Sequence, residues 1–247
     1  MYISNNLEVR NRSFFDNQQA VQCARLGVDV SMCGSVGDDG LGDEYLQQLA
    51  LEHVTTSFMT RTEGVSTGIA SINVETSSGA NTIVVVAGAN GHVDVCLESV
   101  DQILVEHIKN ARVLICQNEI PLVATLTALK IAQSGATLSI FNPAPASSNL
   151  LECVGASDIV CPNETELSTL TSLPTTTEEE IVIAANHLLS FGCRAVVVTL
   201  GERGAYMATK VKKLFIKAEV VAAVDSTGAG DSFIGTCQSL FCLKFWP

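Results

Sequence analysis

The sequence predicts an α/β fold: a doubly wound, mostly parallel sheet flanked by helices, with a small β lid. Three observations predict it. Beyond Asn90, short apolar runs alternate with segments whose apolar residues recur at helical spacing, and strands separated by helices pair in parallel through right-handed crossovers. The runs Val113-Leu114-Ile115 and Val196-Val197-Val198 are apolar at consecutive positions, as strands covered on both faces must be. One clear hairpin interrupts the pattern between Thr67 and Asn90, as an appendage such as a flap would.

The elements follow in order. Residues 14–26 place Ala20, Val21, Ala24 and Leu26 at helical spacing and stop at Gly27, a good residue for the position after a helix end. Val28 to Val36 reads as a strand, broken by the glycine-rich turn Gly37–Gly42, and Leu41 to Leu51 returns to helical spacing. The stretch from Gly68 to Val74 alternates, as does that around Thr82 to Val86, with Ser77-Ser78-Gly79 as the turn. A helix (97–109), strand (113–116), helix (121–134), strand (137–141), short strand (159–161), two helices (163–170, 178–191) and a strand (195–200) then succeed one another. A hairpin-like stretch (206–218) and a helix from about 229 to 243 complete the chain, which reads as a single domain over 1–247 with its lid at about 65–90.

Composition narrows the function. A chain of 247 residues buries roughly 70–75% of its unfolded surface, enough for a sizeable core. With 47% hydrophobic and only 5% aromatic residues, that core suits aliphatic strands between helices. A net charge of −12 argues against nucleic acid or an acidic membrane as partner, since both need clustered Lys and Arg. It leaves room for a phosphate held by backbone N–H groups at a helix start. The nine cysteines show no CxxC pair and no His at zinc spacing, so they read as reduced thiols of a cytoplasmic or nuclear protein. Residues 1–13 lack the apolar block of a signal peptide, and no apolar run is long enough to span a bilayer.

Ligands of such sheets bind beyond the C-terminal strand ends, and the chemically interesting residues lie just after strands. The sharpest stretch is Asp225-Ser226-Thr227-Gly228-Ala229-Gly230-Asp231, ahead of an apolar helix. Two glycines flanking an alanine let a ligand approach the backbone, where free N–H groups favour an anion. Asp231 puts a carboxylate beside that anion site, which suits a base taking the proton of an attacking hydroxyl in phosphoryl transfer. A plain helix capped by Asp225 or Ser226 is the competing reading, and local physics leaves the two even. Asn163 and Glu166 share a helix face, and taken alone they read first as a capping box. Thr199-Leu200-Gly201-Glu202-Arg203-Gly204 ends a strand and reads equally as a turn. No Walker-type loop or G-x-G-x-x-G is present, and the four His residues have no ligand spacing.

Taken together, these stretches resemble the ribokinase (PfkB) family of carbohydrate kinases over roughly Gln18 to Leu243. The resemblance implies that Asp231 is the catalytic base and that Gly228, Ala229 and Gly230 form the anion hole for the γ-phosphate. It implies that Asp225 and Thr227 help hold a monovalent cation, K+ in potassium-activated members. Asn163, the loop Thr199, Leu200, Gly201, Glu202, Arg203 and Gly204, and Gly230 and Asp231 would meet ATP, and Glu166 would organise Mg2+ through water. Glu119, in Gln117-Asn118-Glu119-Ile120-Pro121, matches a sugar-contacting position. The hairpin ending Val84-Val85-Val86-Ala87-Gly88-Ala89-Asn90 matches the substrate lid, through which members often form homodimers. That lid, the Asn-Glu-Ile-Pro segment and Asn142-Pro143-Ala144-Pro145 favour the ribokinases within the family.

The implied activity is ATP-dependent phosphorylation of D-ribose at its 5-hydroxyl, with a sugar and ATP as partners and neither nucleic acid nor membrane. Two departures bear on it. The family's opening strand and glycine-rich sugar loop have no counterpart in residues 1–18, where Phe15 and Asp16 stand in place of a glycine cradle. The elements that close the adenine pocket and the cation site in the family would follow Pro247. Two alternatives therefore stand beside the kinase: a catalytically impaired, truncated relative with only binding capacity, and a kinase for another sugar or a nucleoside.

Overall fold

The computed structural model describes residues 18–74, 81–93, 101–221 and 228–242. The expectations for the loop before Gln18, for Asp225, Ser226 and Thr227, for the Ser77-Ser78-Gly79 turn and for a helix start at 97 lie outside these residues. In chain order the elements are α1 (Gln18–Arg25), β1 (Ser31–Gly37), α2 (Gly40–Leu51), β2 (Thr55–Thr62), β3 (Ile69–Val74), β4 (Asn81–Val86), α3 (Gln102–Asn110), β5 (Val113–Cys116), α4 (Leu122–Ser134), β6 (Leu138–Phe141), α5 (Leu151–Gly155), β7 (Ile159–Val160), α6 (Glu164–Thr171), α7 (Glu178–Leu189), β8 (Ala195–Thr199), β9 (Ala205–Thr209), β10 (Lys213–Ile216) and α8 (Ala229–Cys242). None of the described helices is long and apolar enough to cross a membrane.

The chain divides into two compact units. The first holds the described residues up to Val93, Glu119–Pro121 and those from Asp231 onward. In it α1 ends as expected: Gly27 has φ +83°, its N–H donates to Ala24 O, and the Val28 N–H donates back to Cys23 O. That turn uses the residues expected to open the first strand, so β1 starts at Ser31 rather than Val28. β1 pairs in parallel with β2, a strand the sequence pattern did not reveal. β3 and β4 form the expected antiparallel hairpin, from Ile69 opposite Val86 to Val74 opposite Asn81. α1 lies close along α8: a Cβ on Gly235 would stand 2.8 Å from Gln19 O, and the Cys23 thiol lies 3.0 Å from Gln238 Oε1.

The second unit carries a six-stranded sheet in the order β10-β9-β8-β7-β6-β5. β5 to β8 are parallel, and β9 and β10 add an antiparallel edge. The predicted strands fall close to their places because Leu114, Ile115, Ile140, Phe141, Val160, Val196 and Val198 are all buried. Helices supply the facing surface through Leu129, Leu167, Ile181 and Leu188, each fully buried. At the start of α3 the Asp101 carboxylate caps Gln102–Asn110 through the Ile103 N–H. α7 stops at Leu189, and the short α5 was not foreseen.

β7 is only two residues long, yet it sits between β6 and β8. Asp158, just before it, compensates. Its carboxylate Oδ2 accepts the Ser139 N–H (2.9 Å) and hydroxyl (3.1 Å), and its carbonyl accepts the Arg194 N–H (2.8 Å) and Ala195 N–H (3.0 Å). One residue thus gathers the starts of β6, β7 and β8.

Candidate active site

The site expected at the start of α8 has the local form that its sequence implies. Gly228 has φ +73°, a left-handed conformation that a side chain resists, and it turns the chain into the helix. Ala229, Gly230 and Asp231 are the first helical residues, and the N–H groups of Ala229 and Gly230 precede the first i→i−4 bonds of α8. Gly230 is exposed, and a Cβ there would meet nothing within 4 Å. Neither backbone strain nor packing asks for glycine at 230, whereas close approach of a ligand would.

Asp231 is half-buried rather than turned into the interior. Its Oδ1 accepts a hydrogen bond from the side-chain amide of Gln19 at 2.7 Å. A carboxylate in the first turn of a helix is also favoured by the helix dipole.

In the second unit, Asn163 and Glu166 form the reciprocal cap that their spacing allows. Asn163 Oδ1 accepts the Glu166 N–H at 2.8 Å, and Glu166 Oε2 accepts the Asn163 N–H at 2.7 Å. The same Asn163 bridges to Thr199 in parallel, with the Thr199 N–H donating to Pro162 O at 3.0 Å. The Asn163–Glu166 turn and the Thr199–Gly204 loop are therefore neighbours at the C-terminal end of β8, as a nucleotide site in this sheet requires. Two glycines shape the loop: Gly201 with φ +54° and Gly204 with φ +97°. A Cβ on Gly204 would stand 1.9 Å from Ile216 O, so glycine there serves the packing of the loop on β10. Arg203 is an anchor. Its guanidinium pairs with Glu164 and donates to Thr176 O at 3.0 Å.

The segment containing Glu119 follows β5, and Glu119 is half-buried. Its neighbour Asn118 is tied to the Asn142–Pro145 segment, donating from its backbone to Ala144 O (3.0 Å) and from its side chain to Pro145 O (2.8 Å). Asn142 joins the ends of β5 and β7 by donating to Cys116 O at 2.8 Å and Cys161 O at 3.0 Å. Two stretches that the sequence singled out separately thus form one strand-end platform.

The base of the β3–β4 hairpin is held by a residue the sequence reading did not name. Asp39 caps α2 by accepting the Gly42 N–H at 2.8 Å, and it also accepts the Thr67 hydroxyl at 2.6 Å and N–H at 2.8 Å. The Thr67 hydroxyl, with those backbone bonds, holds the Asp39 carboxyl below the usual carboxylate range. Thr67 accepts the Gly37 N–H at 2.9 Å. The hairpin's two ends then meet backbone to backbone, since a Cβ on Gly88 would lie 2.4 Å from Ser66 O and one on Gly68 2.5 Å from Ala87 O.

Other chemistry is poorly served. The Cys153 thiol is pushed up to about 12 by burial and by neighbouring Cys116, and Cys193 to about 11 by burial, so neither is a ready nucleophile. No cluster of three or more His, Cys, Asp or Glu among the described residues could hold a metal by itself. A groove of about 350 Å³ opens at the opposite, N-terminal strand ends, but its ionic groups, Asp158 and Arg194, pair with each other at 3.3 Å.

Comparison with known proteins shows the family. The family model for pfkB family carbohydrate kinases matches residues 18–237. A ribokinase of Mus musculus is 40% identical over 93% of this chain and 70% of its own length. A ribokinase of Staphylococcus aureus is 36% identical over 90% of this chain and 71% of its own. Among solved structures, Arabidopsis thaliana ribokinase complexed with ribose and ATP superposes with a TM-score of 0.80 at 29% identity, covering 90% of this chain and 72% of that one.

Proposed function

The chain belongs to the pfkB family of carbohydrate kinases, and on that premise we propose that it transfers the γ-phosphoryl group of ATP to the 5-hydroxyl of D-ribose. The observation that carries the reading is the start of α8. There a half-buried carboxylate, Asp231, stands at the mouth of a helix whose first N–H groups precede its i→i−4 bonds, beside an open Gly230.

In the proposed mechanism Glu119 positions the sugar, and the β3–β4 hairpin closes over it to exclude water. Asp231 accepts the proton of the 5-hydroxyl as that oxygen attacks the γ-phosphorus and the bond to the β-phosphate oxygen breaks, leaving ADP. The N–H groups of Gly228, Ala229 and Gly230 stabilise the charge on the transferred group. The Asn163 turn and the Thr199–Gly204 loop bind the nucleotide. Mg2+ would suit a site with a single carboxylate such as Glu166, because this ion keeps most of its waters and binds through one or two carboxylates plus phosphates. Bound there, it would offset phosphate charge. Asp225 and Thr227, the proposed K+ ligands, lie outside the described residues.

Two further parts of the reading concern the surroundings. Val84, Val85 and Val86 are 56%, 57% and 49% exposed, so both faces of the hairpin present apolar surface, which a second copy of the chain would cover. Cys23, Cys33, Cys116, Cys153, Cys161, Cys193 and Cys237 stand outside any disulfide, which suits the reducing cytoplasm or nucleus.

The test is ATP-dependent formation of ribose 5-phosphate by the unaltered chain and by Asp231→Asn. Turnover by the first and not the second supports the reading; equal turnover, or none in either, refutes it. Adenosine and 2-deoxyribose as competing acceptors define the substrate class.

A further inference from the structure

We propose that Gln19 is a positioning residue for the base, its amide holding the Asp231 carboxylate in the orientation that receives the proton. This rests on the reading of Asp231 as base. The argument begins with burial: Gln19 is 1% exposed, and a buried amide is costly unless its polar atoms are bonded. Its Nε2–H donates to Asp231 Oδ1 at 2.7 Å, the short end of the range for an N–H donor and a fitting length for a charged acceptor.

The donor is also held rigidly. α1 and α8 run side by side in the same sense: Gln19 meets Asp231, Gln22 meets Thr236 at 3.3 Å, and Cys23 meets Gly235 O at 3.3 Å and Gln238 at 3.0 Å. Gly235 permits this spacing, because a Cβ there would press on Gln19 O at 2.8 Å and on Gln22 Cβ at 3.0 Å. The helix pair is thus set at a distance that one glutamine side chain spans. An acceptor oxygen fixed on Gln19 leaves the second carboxylate oxygen, Oδ2, in a defined direction, and transfer to a misdirected oxygen is slow.

The experiment compares the unaltered chain with Gln19→Met, Gln19→Asn, Asp231→Ala and the Gln19→Met/Asp231→Ala pair. Gln19→Met keeps the volume and loses the donor, and Gln19→Asn keeps the amide but falls one methylene short. Both should lower kcat about tenfold, with KM for ribose and ATP within about twofold, a split that a general loss of structure does not produce. The double variant should be no slower than Asp231→Ala, since Gln19 acts only through that carboxylate. A readout independent of turnover is the ¹H–¹⁵N resonance of the Gln19 side-chain amide, which should move when Asp231→Ala removes its acceptor.

Wild-type kinetics in Gln19→Met beside a silent Asp231→Ala would overturn the positioning role and leave the base assignment standing. So would a loss carried by KM alone, or a Gln19 resonance that stays in place. Full turnover by Asp231→Ala would instead overturn the base assignment itself.

Discussion

Replacing Asp39 by alanine removes three hydrogen bonds at once: the cap on α2 through the Gly42 N–H and the two bonds from Thr67 at the hairpin base. Loss of a helix cap costs about 1 kcal/mol. Bonds to a charged acceptor are worth roughly 1.5–3 kcal/mol each when buried, and less at a carboxylate that is partly exposed like this one. A total of about 2–3 kcal/mol follows, or a fall in Tm of roughly 5–10 °C for a chain of this size. Asp39→Asn keeps an acceptor for the cap and should lose about half as much.

The pH dependence has a definite sign. The folded carboxyl is held below its usual range, chiefly by the Thr67 hydroxyl, so its stabilisation is complete above the unfolded value of about 3.9 and is lost as pH falls through the folded one. Urea unfolding followed by circular dichroism should therefore show a constant gap between the unaltered chain and Asp39→Ala near neutrality, closing in acid. A gap below about 0.5 kcal/mol at pH 7, the range of an ordinary surface substitution, would refute the reasoning.

Three other outcomes are expected. Gly230→Ala should leave stability unchanged or raise it by about 0.5 kcal/mol, because alanine favours the helix and the site is open, yet it should lower kcat at least tenfold by crowding the phosphate. Thermal melts and ribose phosphorylation measured on one preparation would check both halves. Gly204→Ala should cost more than about 2 kcal/mol, since its Cβ would stand 1.9 Å from Ile216 O, whereas Gly201→Ala meets nothing within 4 Å and should cost about 1 kcal/mol for its positive φ. Val85→Glu on the exposed hairpin should shift sedimentation toward monomer with little change in melting temperature, and an unchanged oligomeric state would remove the hairpin from the interface.

What could be read from the sequence depended on whether its signal was local. β5 was placed at its observed bounds because Val113 to Cys116 is one apolar run between polar neighbours. The end of α1 was legible from Gly27 alone. β2, Thr-Thr-Ser-Phe-Met-Thr-Arg-Thr, escaped because none of its residues is fully buried and no alternation marks it; only its pairing with β1 makes it a strand. The start of α8 was legible because Gly228, Ala229, Gly230 and Asp231 are consecutive. Gln19, by contrast, meets Asp231 across 212 positions, and Thr67 meets Asp39 across 28, so no spacing rule could have joined them. The capping box at Asn163 was read correctly as local geometry, while its place beside Thr199 came from the sheet.

A six-stranded sheet with an inner strand of only two residues is mechanically two smaller sheets sharing a narrow seam. Few ladder bonds cross that seam, so its cohesion is concentrated in the residue that opens it, Asp158. Amide exchange should accordingly report one cooperative block in the unaltered chain. Removing that single carboxylate should let the β5–β6 side and the β8–β10 side open at different free energies.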